Sequence, residues 1–296
     1  MKRHKASRTA EYMAYFRALE SARAASRRLF YDPFAPRFLS PVLRHAAAIA
    51  RIPAFAPLVD AYTDFRLPGA RTSAIARTKL IDDVLLDALR EGISQVVILG
   101  AGFDCRAYRL PQLASAAVFE VDHPATHATK LACLQRALAE FPENVRHVEI
   151  DFLRQTLGEV LAENVFKLSA PSIFLWEGVT QYLTPEAIDV VLSFVARCCG
   201  GTRLVFTYVH AGMLDGSVSF RAATRLLRGY ARLGEPWIFG LRPQEVVGFL
   251  KQRGLCLERD LSAAEYRQLY YRKETERLTG YEFYHVAVAW VPNDNH

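Results

Sequence analysis

From about residue 95 onward, short uninterrupted apolar runs alternate with stretches whose apolar residues recur at helical spacing. The runs predict strands near 95–99, 117–121, 145–150, 172–176, 202–208, 255–259 and 283–291, because a strand buried on both faces reads as continuous Val, Ile, Leu and Phe. Helices are predicted between them, near 124–140, 153–164, 185–199 and 243–253. Thr184-Pro185-Glu186 marks one helix start, a hydroxyl cap followed by proline at the first helical position. Upstream, Ser73 to Arg90 carries Ile75, Leu80, Val84, Leu85 and Leu89 at helical spacing and runs into the first strand. The first seventy residues predict helices from Thr9 to about Ser26 and from Pro41 to Arg51, with Pro53, Pro57 and Pro68 punctuating the rest. Alternating β and α elements imply an α/β fold, Rossmann-like, with a mostly parallel sheet covered by helices on both faces. Residues 211–240 break the alternation with Gly212, Gly216, Gly229, Gly234 and Pro236, and predict a helical cap over the sheet's carboxyl edge, where ligands bind in such folds. One domain is therefore expected over 1–296: an N-terminal helical segment (1–72), a core (73–210 and 241–296) and the cap insertion (211–240).

Composition narrows the function classes. A hydrophobic fraction of 51% supports one sizeable core, and 23% charged residues is ordinary for a globular protein. No apolar run reaches the roughly 18 residues of a membrane span. The basic N-terminus (Lys2, Arg3, Lys5, Arg8) lacks the apolar core of a signal peptide, so a cytoplasmic enzyme without a membrane partner is expected. The net charge of +6, concentrated early in the chain, comes without an aromatic-interleaved basic patch, so no nucleic-acid partner is expected. Five cysteines form no CxxC pair and no zinc spacing, and no metal is expected.

The candidate chemistry lies at Gln95-Val-Val-Ile-Leu-Gly100-Ala-Gly102-Phe-Asp104, followed by Val118-Phe-Glu120-Val-Asp122. The first strand ends in Gly-x-Gly and the next ends in a carboxylate about twenty residues on, the position that grips a ribose diol in doubly wound folds. An adenosine-bearing cofactor is implied. A dinucleotide fingerprint needs a third glycine, where this chain has Cys105, so S-adenosylmethionine suits the turn better than a nicotinamide cofactor, which stays as the alternative.

Arg77-Thr-Lys-Leu-Ile-Asp82-Asp83, Leu99-Gly-Ala-Gly-Phe-Asp-Cys-Arg-Ala-Tyr-Arg-Leu110 and Phe119-Glu-Val-Asp-His-Pro124 together resemble the leucine carboxyl methyltransferase family. Ser7-Arg-Thr-Ala-Glu-Tyr-Met13, Asp32-Pro-Phe34, Trp176-Glu177-Gly178 with Gln181 to Glu186, and Glu276 to Tyr284 extend the likeness over nearly the whole chain, closest to its bacterial stand-alone O-methyltransferases. The resemblance implies a class I methyltransferase fold, seven strands with the last antiparallel, and S-adenosyl-L-methionine as cofactor. By the same resemblance, Arg77 holds the cofactor's carboxylate and Gly100 lies beside its methionine part. Asp122 binds the ribose, with Glu120 as a near alternative, and Asp151 and Phe152 contact the adenine. Glu177 lies near the amino group and sulfonium, and Tyr182 sits at the methyl-transfer pocket. Relatives that act on protein C-termini carry an N-terminal lysine on the cofactor carboxylate; here no lysine lies between Lys5 and Lys79, which leaves Arg17 or Arg23 for that place.

The residues make physical sense in those roles: an arginine fork matches a carboxylate, and a carboxylate balances a sulfonium. Each also has a plain structural reading, Arg77 as an ion-pair partner, Asp151 as a helix cap, Tyr182 as a packing aromatic. His123, His127, His147, His210 and His285 are tempting bases, of which His123 and His210 stand just past strand ends. The expected reaction is methyl esterification of a small-molecule or natural-product carboxylic acid, free or carrier-bound, neutralised by Arg106, Arg109, Arg221 or Arg225. A hydroxyl acceptor, which needs a base, and a non-catalytic cofactor-binding protein are the alternatives.

Overall fold

The computed structural model describes residues 8–151, 155–220, 223–272 and 278–293. Four helices open the chain: α1 (Arg8–Ser21), α2 (Pro41–Ile49), α3 (Ala56–Arg66) and α4 (Ala70–Arg90). The alternating region follows with β1 (Gln95–Leu99), α5 (Arg106–Arg109), β2 (Ala117–Asp122), α6 (Pro124–Leu134), β3 (Val145–Glu149), α7 (Leu157–Glu163), β4 (Ser172–Trp176), α8 (Pro185–Val195) and β5 (Arg203–Val209). The cap region carries α9 (Ala211–Leu214) and α10 (Ala223–Leu233). The chain closes with α11 (Val246–Lys251), β6 (Cys256–Ser262), α12 (Ala263–Tyr271) and β7 (Tyr284–Trp290).

The strands form one seven-stranded sheet in the order β3-β2-β1-β4-β5-β7-β6. Strands β1 to β5 pair in parallel, while β7 is antiparallel to both β5 and β6. The order reverses direction at β1, so the tips of β1, β2 and β4 flank the switch point where open α/β sheets hold ligands. Two apolar layers cover the sheet, one built with α7 and α8, the other with α4 and α12. A third cluster joins α1 and the turn at Ala35–Phe38 to Phe103 and Cys105 of the glycine turn. Stacking of Phe38 on Phe103, with ring centroids 4.6 Å apart, ties that layer to the site.

Helix starts follow the local chemistry. Thr184 accepts from the Ala187 N–H at 3.3 Å and caps α8, and Thr156 with Glu159 and Ser262 with Glu265 form capping boxes on α7 and α12. Several expectations change, among them the end of α1, at Ser21 rather than about Ser26. Helix α6 stops at Leu134 rather than near 140, because Leu138 and Phe141 turn back to pack on the N-terminal layer. Helix α3 occupies the proline-punctuated stretch, and α12 forms where the pattern predicts no element. Among the described residues no helix is long and apolar enough to cross a membrane, and no group of three His, Cys, Asp or Glu is placed to hold a metal ion.

Candidate functional site

The turn after β1 is built by backbone geometry. Gly100 and Gly102 both have positive φ, +64° and +45°, a region that favours glycine. The Gly100 and Ala101 N–H groups donate to the Val121 carbonyl at 2.8 and 3.1 Å, which draws the turn onto the tip of β2. There the Asp122 carboxylate accepts from Gly102 N at 2.5 Å and from His123 N at 2.6 Å. Burial raises the Asp122 pKa, and those two N–H groups oppose the rise. Each carboxylate oxygen keeps a further lone pair, which suits the vicinal diol of a ribose.

Glu120, the near alternative, is drawn into the core instead. It is fully buried, its carboxylate 2.8 Å from the equally buried Lys130 ammonium, and it accepts from the Tyr108 hydroxyl at 3.0 Å. Of the two acids, Asp122 is the one bonded to the glycine turn.

Arg77 lies in the middle of α4, and its Nε donates to Glu177 Oε1 at 2.8 Å. Its guanidinium also lies over the Tyr284 ring, 4.8 Å from the centroid, and contacts Met13 Sδ at 3.4 Å. The other Glu177 oxygen meets Arg106 Nη2 at 3.0 Å. Burial opposes ionisation of Glu177, yet the two guanidinium groups outweigh it and hold the carboxyl below its usual pKa. Asp104 behaves likewise: burial is overcome by Arg106, Lys130 and Arg17, and its pKa falls to about 2.

Arg106 and Arg109 therefore cannot greet an acidic acceptor. Arg106 is buried among Asp82, Asp104 and Glu177, and Arg109 donates to both Asp82 oxygens at 2.7 Å. Arg225 is exposed on α10, while Leu226, Leu227 and Tyr230 of that helix are half-buried. Arg221 and Phe152 lie outside the described residues. Of the two N-terminal candidates, Arg17 reaches the glycine turn, donating to the Phe103 carbonyl at 2.5 Å and to Asp32 at 2.8 Å. Arg23 is held away from it by Glu20 and Asp60.

The segment after β4 closes over the turn. A Cβ on Gly100 would lie 2.5 Å from Val179 Cγ2, so the closest approach to that glycine comes from this segment itself. The backbone N–H groups of Ile238 and Phe239 donate to the Gln181 carbonyl at 2.8 and 3.3 Å, fastening the cap to it. Between them Tyr182 sits edge-on to Tyr230 and Trp237, whose own rings stack 4.9 Å apart. Burial pushes the Tyr182 phenol up to about 12, although the neighbouring Trp237 indole draws it down. This aromatic wall continues through Phe283 and Tyr284. Glu235 stands beside it and accepts from the Thr9 hydroxyl at 3.2 Å.

Asp151 is half-buried past the end of β3, and its N–H donates to Gln155 Oε1 at 3.2 Å. It does not cap α7, a role taken by Thr156. His123 and His210 are caps: each Nδ1 accepts a backbone N–H, from Ala125 at 3.2 Å and from Gly212 at 3.0 Å. Arg77 meets Glu177 just after β4, and Asp122 at the tip of β2 is hydrogen-bonded to the glycine turn. Trp237, Tyr230 and Glu235 were not foreseen, since the cap's sequence has no fixed spacing to the strands. Among the described residues, then, a glycine turn, an acid at a strand tip and an Arg–Glu pair form a cradle whose donor set fits an adenosyl amino acid.

Comparison with known proteins bears on that cradle. The family described as Leucine carboxyl methyltransferase matches residues 10–196. SCO7813 of Streptomyces coelicolor, a putative S-adenosyl-L-methionine-dependent methyltransferase, is 33% identical over 249 residues, covering 83% of this chain and 81% of that protein. YktD of Bacillus subtilis, described in the same words, is 29% identical over 217 residues, covering 73% of this chain and 71% of the other. A DUF574 family protein from Streptomyces avermitilis superposes with a TM-score of 0.59 at 18% identity, over 93% of this chain and 100% of that one. A structure titled as a putative methyltransferase from Thermobifida fusca gives 0.58 at 20% identity, over 93% and 97%. At such identities these two structures share the fold.

Proposed function

We propose that this chain, which belongs to the leucine carboxyl methyltransferase family and is an S-adenosylmethionine-dependent methyltransferase, esterifies the carboxylate of a small molecule seated against the wall of Tyr182, Tyr230 and Trp237. Arg77 and Glu177 would hold the amino-acid end of the cofactor and Asp122 its ribose. When bound, the cofactor supplies a methyl group activated by a positively charged sulfur.

The observation that carries the ester reading is the use of His123 and His210 as helix caps. A ring that accepts through Nδ1 has that lone pair engaged and, when neutral, its proton on Nε2. Burial also lowers the His210 pKa, which keeps the ring neutral near pH 7. Neither histidine is poised to take a proton from a hydroxyl acceptor. A carboxylate needs no such help, because it is ionised near neutral pH. The protein's contribution is then alignment and exclusion of water. Tyr182, kept neutral by burial, offers a donor to the acceptor's oxygen.

Glu235 favours a second reading. An acid beside the aromatic wall would repel a carboxylate and accept a proton from a phenol or alcohol, giving an ether. Incubating small-molecule extracts with isotopically labelled S-adenosylmethionine and following the label by mass spectrometry separates the two. A labelled product that mild base hydrolyses supports the ester. A base-stable product, with turnover lost in Glu235→Gln, supports the ether.

A further inference from the structure

Helix α3 is turned inside out. Its carboxylates and Thr63 face the protein: Asp60 pairs with Arg23 at 2.8 Å and Arg71 at 3.1 Å, Asp64 with Arg71 at 2.6 Å, and the buried Thr63 hydroxyl lies 3.2 Å from that of Tyr15. Its apolar residues face out, with Leu58 65%, Tyr62 62% and Phe65 77% exposed. Positions 58, 62 and 65 are spaced four and three apart, so they form one stripe on the helix. Val42 of α2, and Ile52 and Phe55 of the connection, are exposed apolar residues of the same hairpin. Single exposed apolar residues are ordinary, but a stripe of three large ones on one helix marks a contact surface.

The charges indicate what it contacts. Between Pro41 and Arg66 the only acidic residues are Asp60 and Asp64, and both are engaged by arginines behind the helix. Arg44, Arg51 and Arg66 are exposed, and among the described residues none of them forms an ion pair. The outer face is thus apolar with a purely basic fringe. A symmetric contact with a second copy would set that fringe against itself. The hairpin is an exposed ridge of aliphatic and aromatic side chains flanked by arginines, the pattern of helices that lie in a lipid interface.

We propose that the α2–α3 hairpin docks this protein on an anionic lipid surface, with Leu58, Tyr62 and Phe65 entering the interface and Arg44, Arg51 and Arg66 meeting the headgroups. This surface reading stands apart from the methyl acceptor, and it departs from the expectation of no membrane partner.

The test is co-sedimentation of the purified full chain with vesicles of phosphatidylcholine alone or mixed with phosphatidylglycerol. Partition is expected onto the anionic vesicles only, falling as salt is raised. It should weaken roughly fivefold in Arg51→Gln and disappear in the Leu58→Ser/Phe65→Ser double variant. Retained binding of S-adenosylhomocysteine shows that the variants are folded. Partition no greater onto anionic than onto neutral vesicles would overturn the proposal, as would a double variant that still sediments. A dimer in analytical ultracentrifugation that the double variant breaks would assign the face to a second copy. Association with an acidic carrier protein but not with vesicles would assign it to a protein partner. Either result overturns the lipid assignment.

Discussion

Arg77 and Glu177, one hundred residues apart in the chain, meet at 2.8 Å between Nε and Oε1 where α4 passes the end of β4. An α-amino acid carries its carboxylate and ammonium on one carbon, so an adjacent guanidinium and carboxylate present both complementary charges to it. Removing either side leaves the other partly buried and less well paired, which is the costly case. Arg77→Ala is expected to weaken S-adenosylhomocysteine binding by about a hundredfold, and Glu177→Gln by about tenfold. Calorimetric titration of each variant checks both.

Asp122 accepts from the Gly102 N–H at 2.5 Å and stands where the ribose is proposed to bind. Asp122→Ala should lose about tenfold or more in affinity for S-adenosylhomocysteine. Asp122→Asn, which keeps one good acceptor, should lose less. Adenine alone should bind the wild type and both variants alike, and competition titration reads the difference.

Tyr182 remains a neutral phenol, with burial pushing it up to about 12. Activity between pH 6 and 10 should therefore show no ionisation that Tyr182→Phe removes. Trp237→Ala, which takes away the ring stacked on Tyr230, should raise the acceptor KM about tenfold and leave the cofactor KM unchanged. A steady-state series varying each substrate tests this split.

His127 makes folding sensitive to acid. Its ring is 1% exposed, and burial, reinforced by the nearby Lys130 charge, lowers its pKa from 6.5 to about 4. The unfolded chain takes up this proton below about pH 6.5 and the folded chain only near pH 4. Stability from this group is complete above pH 6.5 and is lost as the pH falls towards 4, by about 3 kcal/mol in all. Urea unfolding at a series of pH values should show that slope, and His127→Phe should reduce it by that share.

The sheet was legible because its strands are buried on both faces and so read as unbroken apolar runs; β1 and β4 fall where the pattern puts them. Helix α3 was not legible, since its carboxylates point inward and its apolar residues outward, the reverse of the usual pattern. The place of Asp122 at a strand end followed from the apolar run before it, whereas the Arg77–Glu177 pair did not, because it joins residues one hundred apart across α4 and the end of β4. The fate of Arg106 and Arg109 did not, because only the fold brings Asp82 of α4 against α5. The same holds for Glu120, whose spacing from the glycine turn resembles that of Asp122 while Lys130 draws it into the core.

The most direct test of the cradle is the structure of crystals soaked with S-adenosylhomocysteine. The account predicts density across the tips of β1 and β2, with the ribose diol on Asp122, the amino-acid end between Arg77 and Glu177, and Val179 displaced from Gly100. Density elsewhere, or a ligand-free crevice with Val179 still seated on Gly100 under conditions where calorimetry shows binding, would contradict it.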